Sequence, residues 1–228
     1  MNAPTSAVAW AWARRTVLLL ALALAACAST PPTPEWQVNA ASSIERATDA
    51  ALRGDARIEA VEFARTRSEV ARTGRPALMA RVELLRCATR VASLDFATCS
   101  GFDALAADAA PPEQAYARYL AGEATPADAA LLPLAHRSLA SQPAAPDAAL
   151  SAIADPLSRL IAAGVLLRRS QATPGVIEQA VNTASRQGWR RPLLAWLGVQ
   201  LQRAKAAGAE QEMARIQRRI DLVLTTRD

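Results

Sequence analysis

Cysteine, histidine and lysine, which often serve as nucleophiles, bases or metal ligands, are scarce in this 228-residue chain, which has three cysteines, one histidine and one lysine. A zinc site of the H-E-x-x-H type needs two histidines, and only His136 is present. No two glycines have G-x-G spacing, and the single lysine, Lys205, follows Gln202 where an S-x-x-K motif needs serine. We therefore expect no catalytic residue, no metal and no cofactor, and a protein that is not an enzyme.

One alternative keeps a chemical role for His136, which lies in the stretch "LLPLAHRSL". In that alternative the protein is an enzyme or a small-ligand carrier of unrecognised type, with a pocket near this histidine. Glu59 and Glu62 are close enough in sequence to form a pair of carboxylates. Their spacing indicates an exposed helix face, so we expect them to have a structural role.

The N-terminal residues carry the features of an export signal. Arg14 and Arg15 precede an apolar run, Val17–Ala26, that is half as long as a membrane-spanning helix requires. A basic start, a short apolar run and small residues at its end are the plan of a secretory signal peptide. Residues 1–26 are therefore predicted to be a signal peptide, and Sec and twin-arginine export both remain open.

The last four residues of this signal are more specific. Leu24-Ala25-Ala26-Cys27 resembles the lipobox of bacterial lipoproteins. The resemblance implies cleavage before Cys27 and lipidation of that cysteine, with residues 27–34 as a tether. Ala28, which stands where aspartate is typical of inner-membrane retention, implies the periplasmic face of the outer membrane in a Gram-negative bacterium.

Lipidation of Cys27 would leave Cys87 and Cys99, twelve residues apart, as the remaining pair. An oxidising compartment permits a disulfide between them, and a bridge would join a helix to the loop that leaves it. Two buried free thiols are the alternative. A redox function is disfavoured because C-x-x-C spacing does not occur.

Composition favours an all-α fold, because alanine is abundant whereas aromatic and β-branched residues are few. Helix starts are predicted at Thr33-Pro34-Glu35, Pro76, Pro156, Thr173-Pro174 and Pro192. We expect an N-terminal helical region at 35–140, a Pro/Ala-rich linker at 141–148 and a C-terminal region of helical hairpins at 149–228.

Gly54 and Gly74 are separated by the same interval as Gly188 and Gly208, which equals one helix and a turn. This spacing indicates stacked antiparallel helical hairpins of an irregular α-solenoid type. The C-terminal half resembles tetratricopeptide hairpins in its Ala and Gly placement, but it lacks their 34-residue period. In the last helix, the apolar spacing indicates a pairing seam formed by Ala209, Met213, Ile216, Ile220 and Val223.

Charge suggests where a partner would bind. Residues 149–228 carry 12 basic and 6 acidic side chains, whereas residues 27–148 carry 12 and 15. Nucleic acid is disfavoured because the chain has no aromatic-rich basic motif. We expect a non-enzymatic binding or scaffold module that recognises an envelope protein and is held on the membrane by Cys27, with a partner surface formed by Trp189, Arg190, Arg191 and Trp196.

Overall fold

A computed structural model of the chain describes residues 32–141 and 145–225. The predicted signal peptide, Cys27 and most of the tether lie outside these residues, as does part of the predicted linker. In the described residues every regular element is a helix, so the predicted all-α fold is confirmed. None of these helices is long and apolar enough to cross a membrane.

Three long helices come first and are separated by glycine-containing turns. They are α1 (Glu35–Arg53), α2 (Ala56–Ala71) and α3 (Pro76–Ala92). The Asp55 carboxylate begins α2 by accepting a hydrogen bond from the Ile58 amide at 3.1 Å. Gly54 has φ of +91°, a conformation that disfavours other residues, and this explains the sharp turn that ends α1.

The middle of the chain consists of short helices, which agrees with the density of prolines there. They are α4 (Ser100–Asp103), a 3-10 helix (Ala106–Asp108), α5 (Pro111–Ala121), a second 3-10 helix (Pro126–Leu131), α6 (Leu134–Ser141) and α7 (Pro146–Ser151). Proline at the first position sets a helical φ and sacrifices no hydrogen bond, because the first amides of a helix have no partner within it.

The last four helices are α8 (Pro156–Arg168), α9 (Pro174–Gln187), α10 (Arg190–Ala206) and α11 (Glu210–Thr225). Consecutive members pack on each other, and the Arg190 side chain at the start of α10 reaches the Val223 carbonyl near the end of α11. The last pair is thus an antiparallel hairpin, and its apolar seam matches the predicted one. The resemblance to tetratricopeptide repeats stays a prediction.

Helix α8 is the centre of the apolar core. Seven consecutive residues from Leu160 to Leu166 are buried in α8, and the helix packs against α3, α5, α6, α7 and α9. A helix that is apolar on every side has to be surrounded by other elements. Helices from both sides of residues 141–148 therefore share one core, and the described helices from Trp36 onward form one compact unit.

Gly164 allows α8 to approach α3 closely. A Cβ at this position would meet the carbonyl oxygen and the side chain of Val91. Gly164→Ala should lower the free energy of unfolding by about 1–3 kcal/mol, because backbone in a packed core cannot move away cheaply. Urea unfolding followed by circular dichroism measures this change.

Gly198→Ala is the matched control, since a Cβ at Gly198 in α10 meets no atom within 4 Å. It should raise stability by up to about 1 kcal/mol through the higher helix propensity of alanine. Equal effects of the two substitutions would contradict the close packing of α8 on α3.

Candidate functional site

A cavity of about 720 Å³ is lined by residues of α1, α3, α5 and α8, by the segment that leads into α6 and by the first turn of α6. We call it the His136 cavity. Most of its wall is aliphatic or proline and is formed by Ile44, Val82, Leu84, Leu85, Pro112, Leu131, Leu132, Pro133, Leu157 and Ile161. The volume falls in the range of pockets that bind small organic molecules. It also lies beside the histidine near which the alternative prediction expected a pocket.

His136 is the most buried polar residue of this wall, with 2% of its surface exposed. Its Nδ1 atom lies 3.2 Å from the Tyr119 hydroxyl oxygen, and the centres of these two rings are 4.9 Å apart. The Tyr116 ring packs on the same imidazole with a centre distance of 5.7 Å. Two tyrosines from α5 thus hold the histidine side chain in one orientation.

The burial of His136 lowers its pKa to about 4, and the negative charge of Asp155 opposes this shift only in part. The imidazole is therefore neutral at physiological pH. A general base is most effective when its pKa lies near the working pH, so this histidine is poorly suited to proton abstraction. It is well suited to hydrogen bonding with a neutral ligand.

Arg81 and Glu113 form an ion pair at the edge of the cavity. The Arg81 Nε and a terminal guanidinium nitrogen donate to Glu113 Oε1 at 2.8 and 2.5 Å. Glu113 is buried, whereas the arginine is exposed. Because the guanidinium is occupied by its own carboxylate, the pair contributes little net charge to the cavity.

A second cavity of about 510 Å³ borders the first along α1. The two cavities share Ile44, Leu85, Asp155 and Leu157, and the second one reaches Trp189. Because they share these walls, the two cavities are adjacent, and we call them together the α1 cleft. Trp189 therefore lines a cavity, in addition to standing next to the arginines of the predicted partner surface.

The structure changes the role expected for Trp196. This side chain is fully buried, and its indole N–H donates to the Ala92 carbonyl at 3.2 Å. Carbonyls in the last turn of a helix have no partner within that helix, so the bond satisfies the end of α3. Trp196 thus belongs to the core, which corrects its placement on a partner surface.

Arg190 and Arg191 make contacts within the chain. Arg190 donates to the Val223 carbonyl at 3.2 Å. Arg191 lies 3.8 Å from a carboxylate oxygen of Glu59 and 3.9 Å from one of Asp95. Both arginines remain partly exposed, but their positive charge is engaged by groups of their own domain.

The expectation of an exposed face at Glu59 and Glu62 is wrong. Both side chains are more than nine-tenths buried and form ion pairs with arginines. Glu59 pairs with Arg86 at 3.1 Å. Glu62 pairs with Arg46 at 2.9 Å and with Arg65 at 2.8 Å. The same helix instead exposes Ile58 and Val61. Their structural role holds, because a buried carboxylate requires such a partner.

The predicted disulfide is confirmed. Cys87 on α3 and Cys99, which directly precedes α4, are bonded, and their Cα atoms are 5.9 Å apart. Among the described residues no group of three or more His, Cys, Asp or Glu side chains is arranged to hold a metal ion.

Sequence reasoning identified His136 but missed the walls around it. Ile44, Val82 and Leu157 lie on three different helices, and only the fold brings them together. No local signal in the sequence separates a residue that lines a cavity from one that fills the core. Comparison of the chain with protein-family models, curated proteins and solved structures finds no match.

The depressed pKa of His136 makes stability depend on pH. Histidine in the unfolded chain has a pKa of about 6.5, so between that pH and the folded value of about 4 only the unfolded state binds this proton. The contribution of His136 to the free energy of unfolding is fully present above about pH 6.5. The free energy of unfolding should fall by up to about 3 kcal/mol as the pH approaches 4.

Unfolding free energies of the wild type and His136→Gln, measured at about pH 7.5 and about pH 4.5, isolate this contribution because other groups titrate in both proteins. The wild type should lose more stability on acidification. Parallel pH profiles for the two proteins would contradict the buried, neutral histidine.

Proposed function

We propose that this protein is a non-enzymatic envelope lipoprotein that binds a small apolar ligand in the α1 cleft. The observation that carries the proposal is the His136 cavity, whose wall is mainly aliphatic and whose volume of about 720 Å³ suits a small organic molecule. An aliphatic wall of this size favours ligands that water solvates poorly.

Binding is favoured over catalysis by the state of the polar groups in the His136 cavity. His136 is neutral and bonded to Tyr119, and Arg81 is bonded to Glu113. A general base or an anion-stabilising cation would have to be released from these contacts to act. Groups that are already oriented and neutralised suit recognition without chemistry.

A protein partner at the Arg190–Arg191 surface is the competing proposal. It is supported by the basic excess of residues 149–228. The contacts of Arg190 with Val223 and of Arg191 with Glu59 and Asp95 weaken it, because a partner would have to compete with them. We therefore favour the cleft as the functional site.

The proposed location is the periplasmic face of the outer membrane, through lipid on Cys27. The lipobox Leu24–Cys27 supports this proposal, and so does the Cys87–Cys99 bridge, because disulfides persist in oxidising compartments. Several acyl chains on one cysteine provide stable anchoring that a single chain does not.

Filling the His136 cavity with a larger side chain should strongly weaken ligand binding. Val82→Trp places an indole where Val82 lines the cavity, and it should weaken binding of the neutral apolar fluorophore N-phenyl-1-naphthylamine by about tenfold or more. Val61→Trp is the matched control, because Val61 is half exposed on α2 and lies outside the cavity lining. Equal affinities of the two variants, or no binding to the wild type, would refute the proposed function.

Lipidation is tested independently of the ligand. Metabolic labelling with an alkyne analogue of palmitate should mark the wild type and leave Cys27→Ser unlabelled, because the lipobox resemblance makes this cysteine the acceptor. Fractionation should then move the serine variant from the membrane to the soluble envelope fraction. Equal labelling of both proteins would reject the anchor.

A further inference from the structure

The charges around the His136 cavity restrict the ligands it can take. In the described part of the chain, Arg81 is the one cationic side chain of the cavity lining, and it is bonded to Glu113. Asp155 contributes a carboxylate to the lining, and its charge acts on both His136 and Tyr116. An anionic ligand group would thus lose its hydration without meeting an available cation.

His136 has one ring nitrogen, Nε2, that is not part of its contact with Tyr119. Its Nδ1 atom faces the Tyr119 hydroxyl, and the described residues provide no hydrogen-bond partner for its Nε2 atom. A phenolic O–H is more acidic than the N–H of a neutral imidazole, so the favoured arrangement has Tyr119 donating to Nδ1. In that tautomer, Nε2 carries the hydrogen and is a donor.

We infer that the ligand of the His136 cavity is a neutral amphiphile: an alkyl chain or apolar ring system bearing an uncharged acceptor oxygen, such as an ester or ketone carbonyl. The apolar part lies against the aliphatic wall, and the oxygen accepts the hydrogen bond from His136 Nε2. Asp155 disfavours carboxylates. This inference rests on the proposed function and adds the chemical class of the ligand.

The chemical class of the ligand is tested by displacement of bound N-phenyl-1-naphthylamine at about pH 7.5. The competing ligands are kept below the concentrations at which they form micelles. Methyl dodecanoate and dodecanoate share a twelve-carbon acyl chain and differ in charge. The ester should displace the fluorophore at a concentration about tenfold or more below that of the anion. Equal displacement would overturn the inference and leave the proposed function standing, whereas absence of fluorophore binding would refute the proposed function itself.

Two variants separate the hydrogen bond from the charge. His136→Phe keeps an aromatic ring and removes the Nε2 donor, so it should weaken binding of the ester about fivefold or more relative to binding of the fluorophore. The Asp155 carboxylate accepts a hydrogen bond from the Ser158 amide at 2.7 Å, and Asp155→Asn preserves this helix cap. The variant should bind dodecanoate about fivefold more tightly and the ester with unchanged affinity. If His136→Phe does not fold, Asp155→Asn still tests the inference. An unchanged ratio of the affinities for the ester and the anion in that variant would overturn it.

Discussion

The burial of α8 on all sides is the constraint on which the rest of the structure depends. Its seven consecutive buried residues can be covered only if helices from both halves of the chain surround it. Gly164 sets how near α3 lies, and Trp196 then satisfies the exposed carbonyl end of α3 from the opposite side. Once these contacts are made, α3 and α8 have fixed positions. The His136 cavity is lined by the start of α8, the middle of α3 and the first turns of α5.

Outside this core, ion pairs join the first two helices to each other and to α3 and α10, beside the apolar residues that α1 and α2 bury. The buried carboxylates of α2 receive arginines from α1, from α3 and from the start of α10. Such pairs need good geometry to offset the loss of hydration, so they specify an arrangement more than they add stability. The apolar core therefore positions the helices on one side of the α1 cleft. Directional polar contacts help to position α1, the helix on the other side.

The sequence predicts most of the helices because their signals are local. Prolines at first positions, glycines after last positions and the seam of α11 all act within a few residues. The orientation of α2 could not be derived in the same way. Its apolar residues Ile58 and Val61 face solvent while Glu59 and Glu62 face inward, because the arginines that pair with these carboxylates come from distant parts of the chain. Trp196 was misplaced for a related reason, since its partner is a backbone carbonyl 104 residues away. The cavity, likewise, is a property of how helices diverge, and no single helix encodes it.

The burial of His136 also keeps the charge of this side chain constant between about pH 5 and 8. Histidine is the side chain whose ordinary pKa lies between about 5 and 8, and this chain has one, with a pKa lowered to about 4. A cavity whose single imidazole stays uncharged across that range presents the same electrostatic surface to a ligand in mildly acidic and in neutral surroundings. Binding at the proposed site would then not depend on the charge of this imidazole across that range.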